Sequence, residues 1–270
     1  MRLRLQLGLL TLAFSAVSAF AQNTVLIING SSTTSESGTT SDITANLQAK
    51  VVAAGGTATV VDAVPSSFAG YGQVWDIRFS NSAALTSGQI SQYVSYLASG
   101  GVMFVMGEND GFPTRNNSVI SLVAAAGGGT ISFLTPSSTQ TVLSPFTGPN
   151  AVSTITYNAP GGAGGATPGN GAFMTRDSSN NGTGVVWNKT TMTNASNGVL
   201  SVVFDVNWMQ GGAPADSQNF LRNLINFNNV VVGGGSPQVS SVPALNPTGM
   251  ALMVALMGYV ALRQFRGQNI

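Results

Sequence analysis

Two textures alternate along this chain: short unbroken apolar runs, and longer stretches in which apolar residues return every third or fourth position. The first pattern belongs to strands buried on both faces, the second to amphipathic helices. Thr24 to Asn29 is a buried-strand run, followed by a Ser/Thr-rich loop from Gly30 to Ser41. Ile43, Leu47 and Val51 then recur at helical spacing with Ser41 or Asp42 placed to cap, Gly55-Gly56 stops that helix, and Thr57 to Val61 supplies the next strand. The pattern repeats: Gln73 to Phe79 is a third strand, Thr86 or Ser87 caps a helix carrying Ile90, Val94 and Leu97, and Gly100-Gly101 leads into the run Val102 to Met106. Ser118 opens a further helix with Val119, Leu122, Val123 and Ala126, closed by Gly127-Gly128-Gly129.

From Thr130 to about Leu200 the runs shorten. Ile131 to Leu134, Thr154 to Tyr157, Ala172 to Thr175 and Val185 to Trp187 are separated by Gly, Pro, Asn and Ser, the pattern of antiparallel hairpins on one edge of a sheet. A strong strand from Gly198 to Val206, a polar loop from Asn207 to Ala215, and a helix capped by Asp216 or Ser217 with Phe220, Leu221, Leu224 and Ile225 close the body. The predicted class is α/β: a doubly wound, mostly parallel sheet with antiparallel edge hairpins, and with the run ending at Met106 in its middle.

Composition changes this picture mainly by exclusion. The chain has no Cys and no His, which removes Ser-His-Asp and Cys-His catalysis, Cys/His zinc sites and disulfides. Only 7% of residues are charged, so Ser, Thr, Asn, Gln and Gly must cover the surface, a profile that suits an envelope or extracellular protein. Between Gln22 and Ser241 six basic residues face all nine acidic ones, a formal charge of −3 with no Lys/Arg cluster, and nucleic acid is set aside as a partner. No cofactor is expected: the Gly161 to Gly165 run lacks the helix and Lys of a phosphate cradle. Trp75, Trp187 and Trp208 read as packing residues.

The two ends read as addresses. Arg2 and Arg4 precede an apolar run from Leu5, and Ala19-Phe20-Ala21 gives the small-x-small pattern of signal cleavage, so residues 1–21 are expected to be a signal peptide. Residues 22–231 form the body and 232–244 a Gly/Ser/Pro linker, with 245–270 a C-terminal segment. Leu245 to Leu262 is uncharged and long enough to span a bilayer core, and Arg263 and Arg266 behind it favour the cytoplasmic side. The expected location is an inner-membrane anchor with the body in the periplasm.

Val242, Pro243, Leu245 and Gly249, followed by that apolar helix and Arg263 with Arg266, resemble the IPTL-CTERM sorting signal, related to the PEP-CTERM signals read by exosortases in Gram-negative bacteria. The resemblance implies an exosortase-type protease as partner and later sorting to the cell surface or secretion. Ala244, Asn246, Pro247 and Thr248 depart from the usual pattern.

The body has its own resemblance, carried by the helix Ile90 to Leu97 leading through Gly100-Gly101 into a central strand and Gly107, and by Leu200 to Asp205 followed by Asn219 to Ile225. This order resembles the class I glutamine amidotransferase-like fold, including its ThuA-like members. That family places a nucleophilic Cys in the turn after the central strand, where this chain has Gly107-Glu108-Asn109, so glutamine hydrolysis by that route is not expected.

In such sheets ligands bind beyond the carboxyl ends of the parallel strands. The loops there offer Asn29, Ser31, Asp62, Arg78, Glu108, Asn109, Asp110, Asp205 and Asn207. Glu108 with Asp205 could form an acid–base pair, or hold calcium or magnesium with Asn109 and Asn207; alternatively these carboxylates only cap helices and order loops. Two functions stand open: a non-catalytic, surface-sorted protein binding a partner, glycan or matrix component of the envelope, or a carboxylate-dependent hydrolase of envelope or extracellular polysaccharide.

Overall fold

The structure, a computed structural model, describes residues 23–232 apart from 35 and 166. The expected signal peptide and C-terminal sorting helix lie outside the described residues, and no helix among those described is long and apolar enough to cross a membrane. The main elements begin β1 (Thr24–Ile28), α1 (Ser37–Ala53), β2 (Thr57–Val61), β3 (Gln73–Asp76), α2 (Ser87–Ala98), β4 (Val102–Gly107) and α3 (Pro113–Ala126). Short strands follow: β5 (Phe133–Leu134), β6 (Thr139–Val142), β7 (Thr154–Thr156), β8 (Gly162–Ala163), β9 (Ala172–Phe173), β10 (Thr175–Arg176) and β11 (Gly184–Trp187). β12 (Val199–Phe204) and α4 (Ala215–Val232) complete the body.

Seven strands form one sheet in the order β2-β1-β3-β4-β12-β11-β9, parallel from β2 to β12 and antiparallel beyond, with β4 at its centre. Every residue of β4 and of β12 is buried, as expected for strands covered on both faces. Alternation sends Val25 and Ile27 toward α1 and α4, and Leu26 and Ile28 toward α2 and α3, so helices cover both faces. On the first face Trp75 stacks on Phe104 at 4.7 Å between ring centres, and Trp208 packs between Phe104 and Phe220. Trp75, Trp187 and Trp208 are all buried.

Helix boundaries differ from the sequence expectation wherever a side-chain cap was invoked, except at Thr86. There Thr86 and Gln89 close a capping box. The first helix begins at Ser37, and neither Ser41 nor Asp42 caps it: Ser41 Oγ donates back to the Gly38 carbonyl, and Asp42 accepts from Gly211 N–H. α3 begins at Pro113 rather than Ser118, because proline fits the first turn of a helix and extends it beyond the apolar period. α4 begins at Ala215, leaving Asp216 and Ser217 inside its first turn. β3 stops at Asp76, short of the Phe79 that the apolar run suggested.

The hairpin region is the larger correction. Only β11 and β9 extend the main sheet; β10, β6 and β7 form a separate three-stranded sheet, and β5 with β8 a two-stranded one. β6 carried no clear apolar signal because the inward position of Thr139–Val142 is shared by Val142 and a polar residue, Gln140. Gln140 is buried by hydrogen bonds: its Nε2 donates to Thr183 Oγ1 at 2.7 Å and its Oε1 accepts from Thr175 Oγ1 at 2.9 Å.

Candidate functional site

The ends of β4 and β12 meet at Gly107 and Phe204, which are partners in the sheet register. A side chain at Gly107 would collide with the Phe204 ring, and both strands end there, so that Glu108 and Asp205 follow directly on this last paired position. Asn116 of α3 fixes this turn: its Oδ1 accepts from Glu108 N–H, and its Nδ2 donates to the carbonyls of Glu108 and Asn109, each at 2.8 Å.

Glu108 is 2% exposed and Asp205 fully buried. Glu108 Oε1 accepts from the Asn109 main-chain and side-chain N–H groups, and Oε2 accepts from Val206 N–H at 2.7 Å. Asp205 Oδ1 accepts from Asn207 N–H at 2.7 Å, and Oδ2 from Ala159 N–H at 3.0 Å. All four carboxyl oxygens therefore hold main-chain loops together. Burial pushes the Glu108 carboxyl up to about 8; N–H groups of Asn109 and Val206 oppose the rise, while the charges of Asp205 and Glu36 add to it. Burial also raises Asp205, against the N–H groups of Ala159, Asn207, Asn158 and Trp208. Among the described residues no three of Asp, Glu, His and Cys are grouped to hold a metal ion. Glu108 and Asp205 thus stand together in a buried brace in which each carboxyl oxygen accepts a main-chain N–H.

Arg78 belongs to a second buried cluster. It forks onto Asp76, with Nε to Oδ1 at 2.7 Å and Nη2 to Oδ2 at 2.8 Å, and Tyr93 Oη donates to Asp76 Oδ2 at 2.8 Å. Arg115 lies 3.3 Å from the same oxygen and donates to the carbonyls of Met106 and Ala83. Burial disfavours the Asp76 charge, but Arg115, Arg78 and the Tyr93 hydroxyl outweigh it and hold the carboxyl well below the usual range. Sequence reasoning found Arg78 but not Asp76, Tyr93 or Arg115. The Asp76-Ile77-Arg78 spacing was the available signal, since a carboxylate and a guanidinium two residues apart at the end of an apolar run are close enough to pair.

The other expected crevice residues separate. Asn29, Ser31 and Asp62 form a local brace, in which Ser31 Oγ and Ser32 N–H donate to Asp62 Oδ1 at 2.9 and 2.8 Å, Ser32 Oγ donates to Oδ2, and Asn29 accepts from Ser31 N–H. Asn109 Oδ1 turns the loop by accepting from Gly111 N–H, and Asp110 is exposed.

Of the nine, Asn207 alone lines the groove that opens beside them. This groove, about 670 Å³, runs between Asn207, Trp208 and Gln210 after β12, the start of α4 at Pro214 and Ser217, Asp42 of α1, and Thr156 to Asn158 at the end of β7. It was missed because its walls come from stretches far apart in the chain, Asp42, Ser138, Thr156 to Asn158 and Asn207 to Ser217, none carrying a motif.

No family model matches the chain, and no curated protein matches it. Among solved structures, the mmIFT52 N-terminal domain is similar at a TM-score of 0.55 and 13% identity, covering 80% of this chain and 100% of that one. A ThuA-like protein from Bacteroides uniformis aligns at 0.44 and 13% identity over 80% of this chain and 95% of its own. The exo-β-1,4-mannosidase of Opitutaceae bacterium strain TAV5 aligns at 0.44 and 10% identity over 78% of this chain, which spans 34% of that enzyme. The first of these likenesses places the body in a shared α/β fold.

Proposed function

We propose that this chain is an exported protein, tethered to the inner membrane by its C-terminal helix before sorting to the surface. Its amidotransferase-like body would bind an envelope glycan without covalent catalysis. Support for the address comes from the sequence alone: the Ala19 and Ala21 cleavage pattern, the Val242 to Gly249 motif, and Arg263 with Arg266. Support for binding over hydrolysis rests on one observation. At the turn where the resembling family carries its nucleophile, Glu108 stands with both oxygens committed to N–H groups of Asn109 and Val206. A hydrolase of the carboxylate type requires one carboxyl to protonate a leaving group and another to activate water or attack. Glu108 and Asp205 are both closed off from solvent in this brace.

The test uses the full chain in a Gram-negative host. Cell fractionation should find it with membranes or at the surface, and a chain ending at Ser241 should lose membrane retention. The purified full chain should retain envelope polysaccharide without releasing new reducing ends. Release of reducing ends that disappears in Glu108→Gln would establish the hydrolase instead.

A further inference from the structure

The main sheet ends differently at its two margins. The margin at β9 is two residues long, and the loop before it is tied to the body by Asn170 N–H on the Gly128 carbonyl. The opposite margin, β2, is five residues long and pairs on one side only, with β1. Thr57 N–H donates to the Asn23 carbonyl and Asn29 N–H to the Val61 carbonyl, so Thr57, Thr59 and Val61 turn their main-chain groups toward β1. Ala58 and Val60 therefore turn theirs to the open edge, an extended row of donors and acceptors. Thr57 and Thr59 are exposed and the other three residues are half-buried. Sheet edges are ordinarily blunted by Lys, Pro, a bulge or a covering segment. Thr57-Ala58-Thr59-Val60-Val61 has no charge and no proline, its register with β1 runs without a bulge, and among the described residues no strand lies beyond it.

We propose that this edge joins a second copy of the chain, with β2 running antiparallel to the same strand of the partner so that two sheets become one. The strand is its own complement. With a two-fold axis at Thr59, Ala58 exchanges hydrogen bonds with Val60 of the partner subunit, and Val60 does so with Ala58 of the partner subunit. Thr59 then faces Thr59 of the partner subunit in a non-hydrogen-bonded pair, where opposed threonine hydroxyls bond each other. The flank of α1 suits a copy as well. Its two charged residues, Asp42 and Lys50, share one stripe with Asn46, and that stripe faces the turn after β12 and α4: Asp42 accepts from Gly211 N–H, and Asn46 donates to the Met209 carbonyl and Gln218 Oε1. The stripe on the other side of the buried face of the helix is Ser41, Ala45, Gln48 and Val52, without charge. Val52, at 62%, is the most exposed large hydrophobic residue among those described. Two copies meeting at β2 thus bring no like charges together, and they answer an open row of main-chain groups with an identical one.

The chain has no Cys, so single cysteines read the register of the pair. In the full chain in detergent, Thr59→Cys should give a disulfide-linked dimer on mild oxidation, because non-hydrogen-bonded partners place their Cα atoms about 4.5 Å apart, within disulfide reach. Thr57→Cys should cross-link far more slowly, since the two copies of that position are offset along the strands by about 14 Å. Light scattering should give the parent chain the protein mass of two copies. Ala58→Pro removes one outward donor from each copy and none that β1 uses, and should weaken the dimer by about tenfold or more. Thr59→Lys sets like charges opposite each other at the axis and should weaken it too, while keeping the circular dichroism of the parent chain. Thr59 is exposed, so this second variant decides the matter if Ala58→Pro does not fold. A monomeric parent chain, as when its own segment 233–244 fills the edge, would overturn the proposal. So would a dimer that survives both substitutions and cross-links the two cysteines alike, the result expected if the C-terminal helix alone held the copies together.

Discussion

Two buried polar clusters lie at the same end of neighbouring strands and solve the same problem in opposite ways. At the end of β3, Asp76 is surrounded by Arg78, Arg115 and Tyr93, and its charge is matched by charge. At the ends of β4 and β12, Glu108 and Asp205 are surrounded by main-chain N–H groups, and among the described residues no guanidinium or ammonium bonds to either. The first carboxyl is held below its ordinary value and the second pair is raised above it. Dipoles alone do not repay the desolvation of two adjacent carboxylates, whereas two guanidiniums do so for one. Acid should therefore loosen the first cluster and alkali the second.

The comparison breaks most severely at Asp76. Asp76→Asn keeps the shape but leaves Arg78 and Arg115 buried without a counter-charge, and should cost about 3–5 kcal/mol. The sign with pH follows from the depressed carboxyl: its stabilisation is fully present above the ordinary value of 3.8 and is lost as pH falls toward the folded-state value. Urea unfolding should show the parent chain losing stability in acid and Asp76→Asn losing much less. A cost below about 1 kcal/mol at neutral pH would mean the ion cluster is not what holds this end of β3.

Tyr93→Phe sharpens the same cluster. The hydroxyl donates to Asp76 Oδ2 and accepts from Arg78 Nη2 at 3.3 Å, so it orders the charges without adding one. Its removal should cost about 1.5–3 kcal/mol by urea unfolding at pH 7, the range for hydrogen bonds to charged groups. It should also move the acid transition of the parent chain to higher pH, because one of the interactions holding Asp76 down is gone. An unchanged acid transition would show that the guanidiniums alone set the Asp76 charge.

How much of this was legible depends on which residues carried a period. β1, β4 and β12 were readable because every position in each is apolar or small and an inner parallel strand has no polar face to break the run, while β2, at the sheet edge, was readable from its β-branched Thr and Val residues. β6 was not, because its buried Gln140 is satisfied by Thr175 and Thr183, residues far along the chain. The same reason hid both site features. Asp76 and Arg115 meet only once β3 and β4 pair, and the groove exists only where α1, β7, the turn after β12 and α4 converge. Glu108 and Asp205 were found by the rule that loops follow parallel strands to one rim, but that rule places residues without saying which atoms remain open.

Glu108→Gln gives the smallest effect and the most informative sign. Glutamine keeps one acceptor oxygen but sets an amide where the second oxygen received N–H, so one of the bonds from Asn109 or Val206 is lost. That loss costs about 1–2 kcal/mol at pH 5, where the parent carboxyl is protonated in the folded state. Because the folded-state value is raised to about 8 from the ordinary 4.5, the stability linked to Glu108 is fully present below 4.5 and is lost as pH rises toward 8. Glutamine does not ionise and loses nothing over that interval. The gap between parent and variant, read from urea unfolding at pH 5, 7 and 9, should therefore narrow as pH rises and close or reverse by pH 9. A gap that stays constant would mean the N–H groups of Asn109 and Val206 suffice to keep Glu108 ionised, and the contrast with Asp76 would collapse into two ways of holding the same charge.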